Sequence, residues 1–179
     1  MFLLLLTVAD FGRMFAAGIT IESTARTAAE VAAGDYLVEF RLLPAGSTTL
    51  TPDGYDRIHR AAWQSVCDES SGLPNAIPTA PGYECSGLPT VVCVHDGGDP
   101  GCATVYNAGG GSAGCPLVSA GSSTAQTGGA ETSKYVEVRV CYRFTAFFGM
   151  DIPFFGGRLS PLAGDFYLER IRTFTVADY

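Results

Sequence analysis

The chain opens on an apolar run over residues 2–9, relieved only by Thr7. Asp10 and Arg13 interrupt it at a spacing that lets side chains pair on a helix, and residues 14–19 are apolar again. With no proline, abundant alanine and leucine, and Gly34 as a stop, residues 1–34 read as one helix. Then the period changes. Tyr36, Val38, Phe40 and Leu42 alternate with Leu37, Glu39 and Arg41, the pattern of a half-buried strand. Residues 44–47 turn the chain. Thr51-Pro52-Asp53 starts a short helix with Thr51 as its N-cap, running to about Ser70 and laying Tyr55, Ile58, Ala62 and Val66 on one face. Strand character returns over residues 90–94 and is strongest over 135–144. There Val136, Val138, Val140, Tyr142 and Phe144 share a face, and Glu137, Arg139 and Arg143 take the other. A last strand spans about residues 166–176. Such alternation suits an antiparallel sheet covered on one face.

The expected architecture is α+β. A long N-terminal (trans)membrane helix, residues 1–34, leads into an extracytoplasmic domain, residues 35–179, with a pilin-like antiparallel sheet, a short helix and disulfide-rich loops concentrated in 70–133. A bilayer crossing needs about 20 mainly apolar residues, more than the chain offers before Asp10. A secretory signal would need a positive n-region and a closer cleavage site than Val31-Ala32-Ala33. A buried helix of a soluble protein would have to cover Phe2, Leu3, Leu4, Leu5 and Leu6 on every side. The preferred reading is the outer half of a membrane helix whose first turns lie upstream. Asp10 and Arg13 then form an interfacial salt bridge, since unpaired charges are costly in lipid. Ala16, Ala17, Thr20, Thr24, Ala28 and Ala32 make a small-residue stripe suited to contact with other helices.

Residues 3–33, LLLLTVADFGRMFAAGITIESTARTAAEVAA, resemble the N-terminal signature of TadE-like and TadG-like pseudopilins of the tight-adherence pilus system. In that family an apolar membrane helix leads into a D-F/L-G-R element, here Asp10, Phe11, Gly12 and Arg13, followed by an aromatic, here Phe15. An N-A-A-R-E-G-A-R-like stretch closes it; residues 23–30 match except that Ala28 and Glu30 stand where the family has its second Gly and Arg. The family's prepilin peptidase motif does not appear. The C-terminal strands, with a Pro/Phe/Gly loop between them, look like the family as well. The resemblance implies a single-pass protein of the bacterial cytoplasmic membrane with its C-terminal domain outside. Its implied partners are membrane lipid and the transmembrane or pilin-like helices of a multi-subunit assembly.

The 179 residues suffice for one ordinary domain. With 18 acidic against 11 basic residues, a single lysine (Lys134) and no basic run, nucleic acid is not an expected partner. Six cysteines, Cys67, Cys85, Cys93, Cys102, Cys115 and Cys141, suggest disulfides outside the cytoplasm, with 15 pairings open. Cys93 with Cys102 is the favoured local pair. A metal site from Cys93, His95, Asp96, Asp99 and Cys102 lacks both the C-x-x-C spacing of zinc and the carboxylate spacing of calcium. Neither His59 nor His95 lies near a nucleophile motif, and no phosphate- or dinucleotide-binding glycine pattern occurs. No cofactor and no catalytic residue are expected. Residues 108–129 form an uncharged Gly/Ser/Thr/Ala tract. The loop over 145–164 carries Phe147, Phe148, Phe154 and Phe155, to be tucked over the sheet or laid against a membrane or partner. Two functions follow as expectations. One is a non-catalytic minor pseudopilin or pilus-assembly protein. The alternative is a pilin-like accessory subunit capping another large membrane complex, whether respiratory, photosynthetic or secretory.

Overall fold

The computed structural model describes residues 2–47, 49–74, 77–79, 84–96, 101–102, 134–145, 152–154, 157–159 and 165–176. Helix α1 (Phe2–Arg41) is followed by α2 (Pro52–Glu69). Among the described residues eight strands follow: β1 (Ile77–Thr79), β2 (Glu84–Ser86), β3 (Thr90–His95), β4 (Gly101–Cys102), β5 (Tyr135–Thr145), β6 (Ile152–Phe154), β7 (Gly157–Leu159) and β8 (Asp165–Thr175). The main sheet has the order β4-β3-β5-β8 with antiparallel neighbours, and β1-β2 and β6-β7 are separate two-stranded pairs. The α+β class and the antiparallel sheet are as expected.

The first helix departs from expectation. It does not stop at Gly34, and the strand expected over residues 36–42 is helical. The alternation there is incidental. Tyr36 is buried, and Leu37, Phe40 and Leu43 pack on the core at helical spacing, whereas Val38 and Leu42 are exposed. Glu39, one turn on from Asp35, is tied to α2 by Arg57, whose Nε donates to Glu39 Oε1 at 2.6 Å. The boundary at 34/35 therefore falls inside one continuous element, and residues 17–36 of that element supply much of the core. Gly34 sits mid-helix, and a Cβ built there meets nothing within 4 Å. Gly34→Ala is expected to raise unfolding stability by about 0.5–1 kcal/mol, read as a shift in urea midpoint at constant slope.

The second helix follows its sequence signals. Thr51 Oγ1 accepts from Gly54 N at 3.2 Å, Pro52 occupies the first turn, and Ser70 closes the C-terminus. Its buried face, with Ile58, Ala62 and Val66, meets α1.

Helix α1 lies antiparallel along β5. Lys134, just before β5, stands 3.8 Å over the ring of Phe40, and Arg13 lies 5.3 Å from the ring centre of Phe144 near the strand's other end. The lengths agree: residues 13–40 of a helix span about 40 Å, and the 11 residues of β5 about 36 Å. Helical turns before Asp10 extend past that end of β5. The core lies between α1, α2 and the near face of the sheet, filled by Val92, Val94, Val136, Val138, Val140, Tyr142 and Phe144.

The far face of the sheet is a second correction. Glu137 and Arg139 point there as expected, but both are buried, with Val91, Cys93 and Cys141 beside them. The central strands are covered on both faces. Cys67 is bonded to Cys85, fastening the last turns of α2 to β2, and Cys93 and Cys141 are also disulfide-bonded. The β3–β4 register sets Cys93 opposite Cys102, the adjacency a local pair requires. Cys115 lies outside the described residues.

Strand β8 forms one edge of the main sheet among the described residues. Cys141 turns its N–H to Pro89 on the β3 side, so Val138 and Val140 turn theirs to β8. Arg170 and Arg172 lie opposite these two, which leaves Glu169 and Ile171 facing outward. Arg170 Nη1 donates to the Glu169 carbonyl at 2.8 Å and Arg172 Nη1 to that of Ile171 at 3.3 Å. Both guanidiniums also pair with Glu22 of α1.

Candidate assembly interface

The D-F-G-R element divides between two sides of α1. Asp10 and Arg13 face the domain. Arg13 Nη1 donates to Asp10 Oδ1 at 2.9 Å, Asp10 is only 6% exposed, and Arg13 rests on Phe144. The expected salt bridge is present, part-buried against the chain's own sheet. Burial pushes the nearby Tyr142 phenol up, with Arg13 opposing.

Phe11 and Gly12 face the other way. On that side Leu5, Val8, Phe11, Phe15 and Ile19 are 57–68% exposed. Five large apolar side chains within four turns of one helix make a patch that soluble surfaces rarely carry without a partner. Over its first half α1 thus keeps an apolar face turned away from the domain, opposite the side that carries Asp10, Arg13 and Ala17. Glycine shapes the outer face: a Cβ on Gly12 or Gly18 would meet nothing within 4 Å. Beyond Ile19 the same face turns polar with Glu22, Arg26 and Glu30, and Arg26 Nε donates to Glu30 at 2.9 Å.

The small-residue stripe serves a different purpose from the expected one. Ala17, Thr24, Ala28 and Ala32 are buried inside the domain, where they let α1 approach its own sheet and α2 closely; Thr20 spends its hydroxyl on the Ala16 carbonyl at 3.1 Å. The face left exposed is the aromatic and aliphatic one opposite. Among the described residues no helix is long and apolar enough to cross a membrane. From Asp10 onward α1 is committed to packing on the sheet, so the membrane helix expected over residues 1–34 does not hold for that portion. The side chains of Phe2, Leu3, Leu4 and Leu6 lie outside those described, as do residues 108–129, Phe147, Phe148 and Phe155. Phe154 is described only as the last residue of β6.

The histidines are built into aromatic stacks. His59, buried on α2, has Tyr55 and Trp63 at 6.4 and 6.1 Å between ring centres. His95 stacks on Tyr135, its cross-strand neighbour, at 4.1 Å, and burial pushes its pKa down. Among the described residues no three His, Cys, Asp or Glu side chains gather to hold a metal, and Asp96 is instead taken by the Tyr55 hydroxyl.

That Tyr55–Asp96 bond was not legible from sequence; the two lie 41 positions apart. Burial, then the bond to Asp96, push the Tyr55 phenol far above its ordinary value. A phenol whose folded pKa is raised holds its full stabilisation below the unfolded value, near 10, and loses it as pH climbs toward the folded value. The melting temperature is expected to fall above about pH 10, and Tyr55→Phe is expected to flatten that fall.

No protein-family model, curated protein or solved structure matches this chain at a significant level. Its reading therefore rests on its own residues.

Proposed function

We propose that the chain is a non-catalytic structural subunit of a membrane-bound assembly, of the TadE-like minor pseudopilin or pilus-assembly type, joined to its neighbours through the outer face of α1. The observation that carries this is the uncovered apolar face of Leu5, Val8, Phe11, Phe15 and Ile19 on a helix already packed on its opposite side. In this reading the turns before Asp10, with Phe2, Leu3, Leu4 and Leu6, enter lipid at the bacterial cytoplasmic membrane. Disulfides at Cys67–Cys85, Cys93 and Cys141 fit a domain on the oxidising, extracytoplasmic side.

The test is fractionation of cells making the full-length protein. Wild-type chain is expected in the membrane fraction, resistant to carbonate and released by mild detergent as part of a larger particle. Val8→Asp with Phe15→Asp alters two exposed positions and is expected to leave the domain folded but release it from that particle. A wild-type chain recovered free and monomeric without detergent defeats the proposal.

A further inference from the structure

Two buried side chains on the far face of the sheet, Cys93 and Cys141, are disulfide-bonded. Cys67 and Cys85 are already joined to each other, which leaves Cys93, Cys102, Cys115 and Cys141 to supply the partners. A disulfide holds its two Cα atoms roughly 4.4–6.8 Å apart, and beyond about 7 Å none forms without movement of the backbone. Strand register gives the distances to compare with that limit. Cys93 stands opposite Glu137, which lies on β5 four residues before Cys141. At about 3.4 Å per residue and about 4.8 Å between strands, the Cα atoms of Cys93 and Cys141 are about 14 Å apart. They are not bonded to each other, so their partners are Cys102 and Cys115. Cys102 lies opposite Cys93 on β4, on the side of β3 away from β5. Two strand spacings and the same four residues separate it from Cys141, about 17 Å, which excludes that pair as well.

We propose that the remaining bonds are Cys93–Cys102 and Cys115–Cys141, so that all six cysteines of the chain are paired. Backbone phase supports the first bond beyond mere adjacency. Cys141 donates its N–H to the Pro89 carbonyl at 2.9 Å, so every second residue of β5, Glu137 included, turns its backbone groups toward β3. Cys93 answers Glu137 and therefore has no backbone group directed at Cys102. Opposite residues of that kind have Cα atoms about 4.5 Å apart and the closer side chains, within the range a disulfide spans. Cys115 is then the partner left for Cys141. Their bond ties the uncharged tract of residues 108–129 to the central strand of the sheet, on the face where Glu137 and Arg139 are buried. Each bond forms as two thiols release two protons and pass two electrons to a disulfide oxidant, which leaves as a dithiol. Neither bond depends on the membrane-anchored reading above, although both call for an oxidising compartment.

The test is a disulfide map of the full chain isolated from cells, with free thiols blocked by N-ethylmaleimide and no reductant at any stage. Proteases that cut before aspartate and after aromatic residues separate the candidates. Asp96 and Asp99 lie between Cys93 and Cys102, Tyr106 between Cys102 and Cys115, and Tyr135 between Cys115 and Cys141. Mass spectrometry is expected to find the Cys141 peptide joined to that of Cys115, the Cys102 peptide joined to that of Cys93, and no maleimide on any cysteine. Cys115→Ser is expected to gain one maleimide, at Cys141, and to keep Cys93–Cys102. Should that variant fail to fold, the wild-type map decides by itself. The proposal is overturned by a Cys102–Cys141, Cys93–Cys115 or Cys93–Cys141 linkage, or by maleimide on any wild-type cysteine. A label on Cys93 in place of Cys141 in the Cys115→Ser chain overturns it equally.

Discussion

Glu137→Gln is expected to destabilise the domain by about 3–5 kcal/mol, seen as a lower urea midpoint with little change in slope. The replacement is nearly the same size, so it opens no cavity. What it removes is the charge that answers Arg139. The two side chains project from one strand to the same face, with Arg139 Nε donating to Glu137 Oε1, and their exposures are 3% and 0%. A guanidinium taken out of water is tolerable beside a carboxylate and costly beside an amide. His95, across the sheet, reads the same change. Its imidazole is pushed down chiefly by burial and held up by Glu137, so losing that carboxylate lowers it further. The control is Glu137→Leu with Arg139→Met, which removes both charges and is expected to recover most of the loss. If the single and double variants are equally unstable, the cost lies in packing and not in the unanswered charge.

A chain with serine at both Cys67 and Cys85 is expected to lose about 3 kcal/mol, the chain-entropy value for a loop of this size. The bond spans a sequence separation of 18 and links α2, near its C-cap, to the short strand β2. Beta strands of three residues paired only with each other have little independent stability. The crosslink is therefore what keeps β1-β2 against α2. Reductant alone is a poorer test, because Cys93 and Cys141 are bonded too. Thermal melts of the double-serine chain against wild type, both without reductant, isolate the one bond. A loss below about 1 kcal/mol would mean that packing of α2 already holds this corner.

Much of the fold was legible because several local signals agreed. Thr51-Pro52 marks a helix start by capping and by proline geometry together, and α2 begins there. The valine alternation in β5 is equally plain, and its near face is the core. Residues 36–42 misled because alternation over so short a stretch fits either period; burial of Tyr36 with Leu37 and Phe40 decided for helix. The buried far face was partly visible in hindsight. Cys93, Cys141, Val91 and Ile171 share it with Glu137 and Arg139, and that many apolar neighbours argue against a wet surface. The candidate interface was half legible. The D-F-G-R element drew attention to these turns, yet only the fold shows Asp10 and Arg13 turned inward and Phe11 and Gly12 outward. The small residues pointed to close packing correctly and to the wrong partner, since composition does not say which neighbour a helix approaches.

The two arginines of β8 bear on how such a protein survives at high local density. An open strand edge invites another copy to add on, and repeated addition grows fibres. Here an incoming strand must first evict Arg170 and Arg172 from the Glu169 and Ile171 carbonyls and break their attachment to Glu22. Glu22 lies about one turn beyond Ile19, so the helix that carries the exposed apolar face also keeps the edge closed. At high concentration, strand addition at β8 is thereby disfavoured. Glu22→Ala would remove that safeguard.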